Sequence, residues 1–123
     1  MERSRLNNSK RKGSSFEKAV ADYLDNELPF DVERRTLGGT QDRGDIAGVR
    51  INGKRAVIEC KACAKLDIPE WLREAERERK NDDAAYGIVV SKRRGVGSMN
   101  TGQQLVCMTL ETLTMIIREG KQQ

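Results

Sequence analysis

The chain has 123 residues, a mass of 13.9 kDa and a formal charge of +4, which suits a single domain and leaves no room for two independent cores. Hydrophobic residues make up 37% and charged residues 34%, enough apolar material for a small core beneath a heavily charged surface, so wholesale disorder is excluded. Histidine is absent, which excludes Ser-His-Asp and Cys-His nucleophiles and His-ligated zinc hydrolases and leaves Asp, Glu, Lys and Cys for any acid–base or metal chemistry.

Residues 1–12 hold five basic side chains (Arg3, Arg5, Lys10, Arg11, Lys12) against Glu2, a balance of +4, and the remaining residues carry 18 basic and 18 acidic groups. The whole excess charge therefore sits in what reads as a flexible basic arm, followed by one domain over 13–123. Such an arm is an electrostatic footprint for phosphate backbones or a solubilising tail. Behind it, Phe16, Val20, Leu24 and Leu28 recur with a helical period that Pro29 ends, predicting a first helix of about 14 residues. Glu17 points from within that apolar stripe. It is either the last member of a capping box, Ser14-Ser15-Phe16-Glu17, or a carboxylate aimed at a site.

Asp31 to Leu37 reads as an edge strand, and the polar loop Gly38 to Gly44 leads into a strand over 45–51. Asn52-Gly53 is a strong hairpin signal, and Arg55 to Lys61 returns as the partner strand. Asp67 is placed to cap a second helix with Ile68, Trp71, Leu72 and Ala75 inward and Pro69 in its first turn. Its other face is charged: Glu70 with Arg73, Glu74 with Arg77 and Glu76 with Arg79 are spaced i,i+3, the signature of a solvated surface. Tyr86 to Ser91 reads as a buried strand running into the basic turn Lys92-Arg93-Arg94-Gly95. A last strand over 105–109 and a C-terminal helix with Leu110, Leu113, Ile116 and Ile117 on one side complete the chain. Met115 and Ile116 are assigned chiefly to core packing. The order α-β-β-β-α-β-(β)-α predicts a mixed sheet with helices on both faces, an α/β fold.

Cys60, Cys63 and Cys107 are an odd set in a chain whose first residues lack a signal-peptide core, so reduced thiols and a cytoplasmic location are expected. Cys60-Lys61-Ala62-Cys63 has CxxC spacing but lacks two further ligands for zinc, and its cysteines read as small residues on a strand and a turn. The longest aliphatic run, Ile88-Val89-Val90, is far short of a membrane span.

Charged residues that interrupt otherwise buried strands are the candidates for chemistry. Glu59 and Lys61 are two apart on one strand, so they share a face about 7 Å apart and set an acceptor beside a donor. Asp45 joins them only under a condition of register. A regular two-residue turn at Asn52-Gly53 pairs residues whose numbers sum to 105, putting Asp45 opposite Cys60 and off the face of Glu59. An even sum is needed, which a three-residue connection or a bulge near Gly48 supplies.

Gly13-Ser14-Ser15-Phe16-Glu17 on a helix, Gly44-Asp45-Ile46 on a strand and Glu59-Cys60-Lys61 on the next resemble the PD-(D/E)XK nuclease superfamily, and within it the small Holliday junction resolvases of archaea and phages, over residues 13 to 95. No proline precedes Asp45, a departure from the family pattern, and the family's loop hydroxyl falls to Thr40 or, behind it, Thr36. The resemblance implies a restriction-endonuclease-like mixed β-sheet flanked by helices and an Mg²⁺-dependent endonuclease acting on branched DNA, with Mn²⁺ as substitute. Asp45, Glu59 and the backbone carbonyl of Cys60 would hold the metal, with Glu17 on a bound water or second ion, because Mg²⁺ favours one or two carboxylates plus water and phosphate oxygens. Lys61 would orient or deprotonate the attacking water. Arg43, Thr40, Lys92, Arg93, Arg94, Lys10, Arg11 and Lys12 would contact DNA. Symmetric cutting implies a homodimer, and a phage source would place the protein in the host cytoplasm. Flap, single-strand or RecB-type nucleases share these motifs, and a DNA-binding module with structural ion pairs is the reading without catalysis.

Overall fold

The computed structural model describes residues 2–35 and 44–120, with residues 2–12, 14 and 98 described by their backbone alone. Its elements are α1 (Glu2–Glu27), β1 (Glu33–Arg34), β2 (Ile46–Ala47), β3 (Arg50–Ile51), β4 (Lys54–Lys61), α2 (Ile68–Asn81), β5 (Tyr86–Ser91), a 3-10 segment (Ser98–Gln103), β6 (Leu105–Cys107) and α3 (Leu110–Glu119). The sheet runs β1-β2-β4-β5-β6 with β3 on β4. Only β4 and β5 are parallel, and α2 forms the crossover between them. The result is the mixed α/β architecture expected from the element order.

Alternation along the two central strands sorts the core. Ile58, Cys60, Ile88 and Val90 face α1, whose Phe16, Val20 and Ala21 join the same buried cluster, with Met115 and Ile116 of α3 packed against it. Val89 points the other way, onto Trp71 and Ala75 of α2. Glu59 and Lys61 are on this α2 side, because Val89 and Ser91 are their register partners. Trp71 is 4% exposed, and fully burying a large apolar side chain contributes about 1.5–3 kcal/mol, so α2 is held firmly against the sheet. Its C-terminal end is also fixed by Arg55, which donates to the carbonyls of Asp82 at 2.8 Å and Asp83 at 3.0 Å.

Three differences from the sequence reading matter. First, α1 begins at Glu2, so residues 2–12, read as an arm, continue the helix. They contain no proline and several good helix formers, and a lone glycine such as Gly13 costs a helix only about 1 kcal/mol. Ser14 is then a mid-helix residue, which removes the capping box and with it the capping role of Glu17. Second, Asp67 occupies the N-cap position of α2 but makes no side-chain cap hydrogen bond. Third, a 3-10 segment lies between β5 and β6, where no element was expected. No helix among the described residues is long and apolar enough to cross a membrane.

The hairpin meets its register condition through a bulge. Asn52 and Gly53 have φ of 56° and 76°, the two positive values of a tight hairpin turn. Arg50 pairs with Arg55 and Ile51 with Lys54, pairs that sum to 105, whereas Ile46 pairs with Ile58, which sums to 104. One extra residue therefore sits between β2 and β3. Gly48, with φ +100°, is at that point, and a glycine at positive φ is the usual means of making such a bulge.

Candidate active site

The bulge carries its consequence to Asp45. Extending the pairing of Ile46 with Ile58 by one residue sets Asp45 beside Glu59. The Asp45 amide donates to the Ile58 carbonyl at 3.0 Å, and the Asp45 carboxylate accepts from the Cys60 amide at 2.7 Å. In a strand the N–H and C=O of one residue point to the same side, so the Cys60 carbonyl faces the edge on which Asp45 lies, as a ligand role for it requires.

Glu59 is 7% exposed, and its Oε2 meets no hydrogen-bond donor among the described residues. Its neighbours there are themselves carboxylates, Glu78 and Asp45. Burial, first, and these two groups push the Glu59 carboxyl up from the ordinary 4.5 to about 11, because a carboxylate taken from water and set against like charges resists ionising. A proton or a cation would relieve this crowding of negative charge.

Lys61 provides one positive charge. Its Nζ lies 2.5 Å from Glu74 Oε2 and 3.8 Å from Glu59 Oε1. Burial works against the ammonium, but the hydrogen bond to Glu74 and the charges of Glu59 and Glu74 outweigh it and raise the lysine's pKa. So held, Lys61 is favoured as a charged hydrogen-bond donor that attracts negative charge.

Glu17 approaches from α1. Burial and then the charge of Asp45 raise its carboxyl, while Arg34 on β1, 3.3 Å away, opposes the shift. The Cys60 thiol is pushed up by burial and by Asp45, Glu17, Glu59 and Glu78 in that order, which makes it an inert, protonated side chain in the midst of four carboxylates. Asp45, Glu59, Lys61 and Glu17 are thus brought together from three separate stretches of chain.

Three members of the site were not anticipated. Carboxylate oxygens of Glu59, Glu74 and Glu78 lie within 4.8 Å of one another and could hold a metal ion. Glu70 and Glu76 do pair with Arg73 and Arg79 on the helix surface, at 2.9 and 2.6 Å, but Glu74 turns instead to Lys61. Glu78 is 1% exposed. Trp71, Ala75 and Glu78 are spaced i, i+4, i+7, so Glu78 occupies an apolar position of α2, the signal that could have found it. Ser91 is a third addition. It is buried beside Lys61 in register, and its Oγ has no partner among the described residues.

Of the DNA-contact candidates, Lys92, Arg93 and Arg94 are exposed and follow directly on the site, since the Lys92 amide donates to the Lys61 carbonyl at 2.9 Å. They sit at the carboxyl ends of the two parallel strands, where α/β sheets commonly bind ligands. Arg43, Thr40 and Thr36 lie outside the described residues, as do the side chains of Lys10, Arg11 and Lys12.

The protonation of Glu59 makes a measurable statement. Its carboxyl ionises at higher pH folded than unfolded, so the folded protein binds the extra proton above about pH 4.5, and in the absence of metal the group's contribution to stability falls as pH rises toward 11. In chelator, unfolding free energy should drop more steeply between pH 5 and 8 for the wild type than for Glu59→Gln, by at most about 1.4 kcal/mol per pH unit. Denaturant titrations at several pH values measure the two slopes. Equal slopes would show that Glu59 ionises as freely folded as unfolded.

Comparison of the chain with protein families, with characterised proteins and with solved structures returns no match.

Proposed function

We propose that the protein is a metal-dependent DNA endonuclease of the PD-(D/E)XK type, with a restriction-endonuclease-like fold, and that its substrate is a four-way junction. The observation that carries this reading is the convergence of Asp45, Glu59 and Lys61 across the Gly48 bulge, together with a buried Glu59 oxygen that meets no donor. A bare structural ion pair would have satisfied that oxygen.

The donor set fits a hard divalent cation: Asp45 and Glu59 oxygens and the Cys60 carbonyl, with Glu78 and Glu74 close behind. When bound, Mg²⁺ neutralises charge on a phosphate and acidifies water. Lys61 supplies a fixed ammonium for the charge that develops on the phosphate, and Glu74 holds that ammonium in place. The raised pKa of Lys61 favours this electrostatic part over proton abstraction. Glu17 offers an oxygen from the α1 side that can hold a water. Lys92, Arg93 and Arg94 give the phosphate backbone a basic ledge beside the site, a sequence-independent contact that suits recognition of DNA shape. Such an enzyme works from the cytoplasm, as a pair of chains that cuts two strands symmetrically.

The test is cleavage of a synthetic four-way junction, with linear duplex and flap controls, in Mg²⁺ and in EDTA. Paired, symmetric, Mg²⁺-dependent nicks near the crossover are the expected result. Cutting of flaps or free ends with the junction left whole would retain the catalytic centre and overturn the substrate. Metal-independent binding to DNA with no cutting would reduce the protein to a binding module.

A further inference from the structure

The 3-10 segment does not close against α1. Between them lies a cleft of about 380 Å³, walled by Asp22, Tyr23 and Asn26 on one side and by Met99, Thr101 and Gly102 on the other, a volume in the range of small-ligand sites. A narrower groove of about 130 Å³ continues it past Ala19 and Thr101, which both spaces share, to Ser15, Gln104 and Lys92. Contacts across the path fix its walls. The Arg93 amide donates to Gln104 Oε1 at 2.7 Å and the Arg93 guanidinium to the Gln103 carbonyl at 3.3 Å, tying the basic turn to the end of the 3-10 segment. The hydroxyl end of Tyr23 lies on Gly102, where a Cβ would stand 2.7 Å from it. Tyr23 nevertheless stays 39% exposed, and Met99 is 92% exposed.

The chemistry changes along this path. At its narrow end it is cationic, with Lys92 in the wall and exposed Arg93 and Arg94 next in the chain. That end opens beside the proposed catalytic strand, because the Lys92 amide is bonded to the Lys61 carbonyl. At the wide end a phenol ring and a thioether form apolar walls, while the Asn26 amide and the Thr101 hydroxyl bring donors and acceptors. The Asp22 carboxylate is balanced by Lys18 at 2.8 Å. A place for a phosphate at one end and for a flat ring with a polar edge at the other suits a nucleotide strand. From Ser15 to Asn26 the helix rises about 16 Å, room for a few nucleotides in extended form. A base inside a duplex has no free face to offer Tyr23, so the strand that fits is unpaired. We propose that this cleft is a subsite for unpaired DNA, in which the backbone passes over Lys92 and a base released from pairing at the branch stacks between Tyr23 and Met99.

The subsite takes its ligand class from the nuclease reading, but its binding is measured without cleavage. In EDTA, anisotropy of a labelled oligothymidylate should report binding to the full chain. Tyr23→Leu keeps an apolar side chain on Gly102 and removes the ring. It should raise the Kd for the single strand about tenfold, the worth of one stacked base, and leave the Kd for a blunt duplex unchanged. Tyr23→Phe should bind as the wild type does. Lys92→Ala should reduce the salt dependence of single-strand binding by about 0.7 log units, whereas Tyr23→Leu should leave that slope alone. Met99→Ser, at a side chain too exposed to matter to folding, should weaken the single strand about threefold, and it decides the matter if Tyr23→Leu does not fold. No oligothymidylate binding by the wild type, no loss in either variant, or an equal loss for single strand and duplex would overturn the assignment. Any of these beside Mg²⁺-dependent junction nicking would remove the subsite and keep the nuclease; the expected binding without nicking would do the reverse.

Discussion

Glu59→Gln should lose about 10³-fold or more of Mg²⁺-dependent DNA cleavage and, in EDTA, unfold at a higher temperature than the wild type. The two effects have one cause. Glu59 is buried with an oxygen that lacks a donor and with Asp45 and Glu78 as neighbours, an arrangement that suits a divalent cation and strains the protein without one. Glutamine keeps the shape, removes the charge and brings an N–H₂ that can donate to Glu78. It cannot match a carboxylate as a ligand, and the several kcal/mol of transition-state stabilisation that a divalent ion provides correspond to about three powers of ten in rate. Single-turnover cleavage and thermal unfolding with and without Mg²⁺ measure both halves. A fully active variant would remove Glu59 from the chemistry, and a less stable one in EDTA would mean that the carboxylate is a satisfied structural group.

Gly48→Ala should destabilise the protein by about 3 kcal/mol or more, lowering Tm by about 10 °C or more. At φ +100° a Cβ on residue 48 would stand 2.4 Å from the Asp31 carbonyl oxygen and 3.3 Å from the Val32 Cα, so strained dihedrals and a clash with backbone act together. The chain can escape only by straightening the bulge, which returns β2 to the register of β3 and turns Asp45 opposite Cys60, away from Glu59. Metal affinity should therefore fall along with stability, even at temperatures where the variant is folded. Calorimetry with Mn²⁺ titration provides the check; a variant with wild-type Tm and metal binding would mean that the bulge does not depend on glycine.

The strands of the site could be read from period and parity. Glu59 and Lys61 share a face because they are two apart, and Asp45 reaches them only by an even register sum, which already demanded an irregularity near Gly48 or a longer turn. Glu17 was legible as a charge inside an apolar stripe. Glu74 was not, because its spacing to Arg77 is the same as that of Glu70 to Arg73 and of Glu76 to Arg79, and nothing local distinguishes a glutamate that bonds along its helix from one that reaches across to a strand. The first helix was cut short for a similar reason. A capping-box sequence stops a helix only when the backbone ahead of it is extended, and the residues before Ser14 are good helix formers. The C-terminal helix was assigned a single apolar side where packing divides it in two, Met115 and Ile116 inward and Leu110, Leu113 and Ile117 outward.

The two rims of the sheet are unlike. At one, β1 is two residues long and presents Glu33 and Arg34, both exposed, a short charged strand of the kind that resists extension by another chain. At the other, β6 presents Leu105 and Val106 with no charge in the strand. The β6 rim is thus the edge of the described sheet at which a further strand could be added, while the β1 rim is guarded against it.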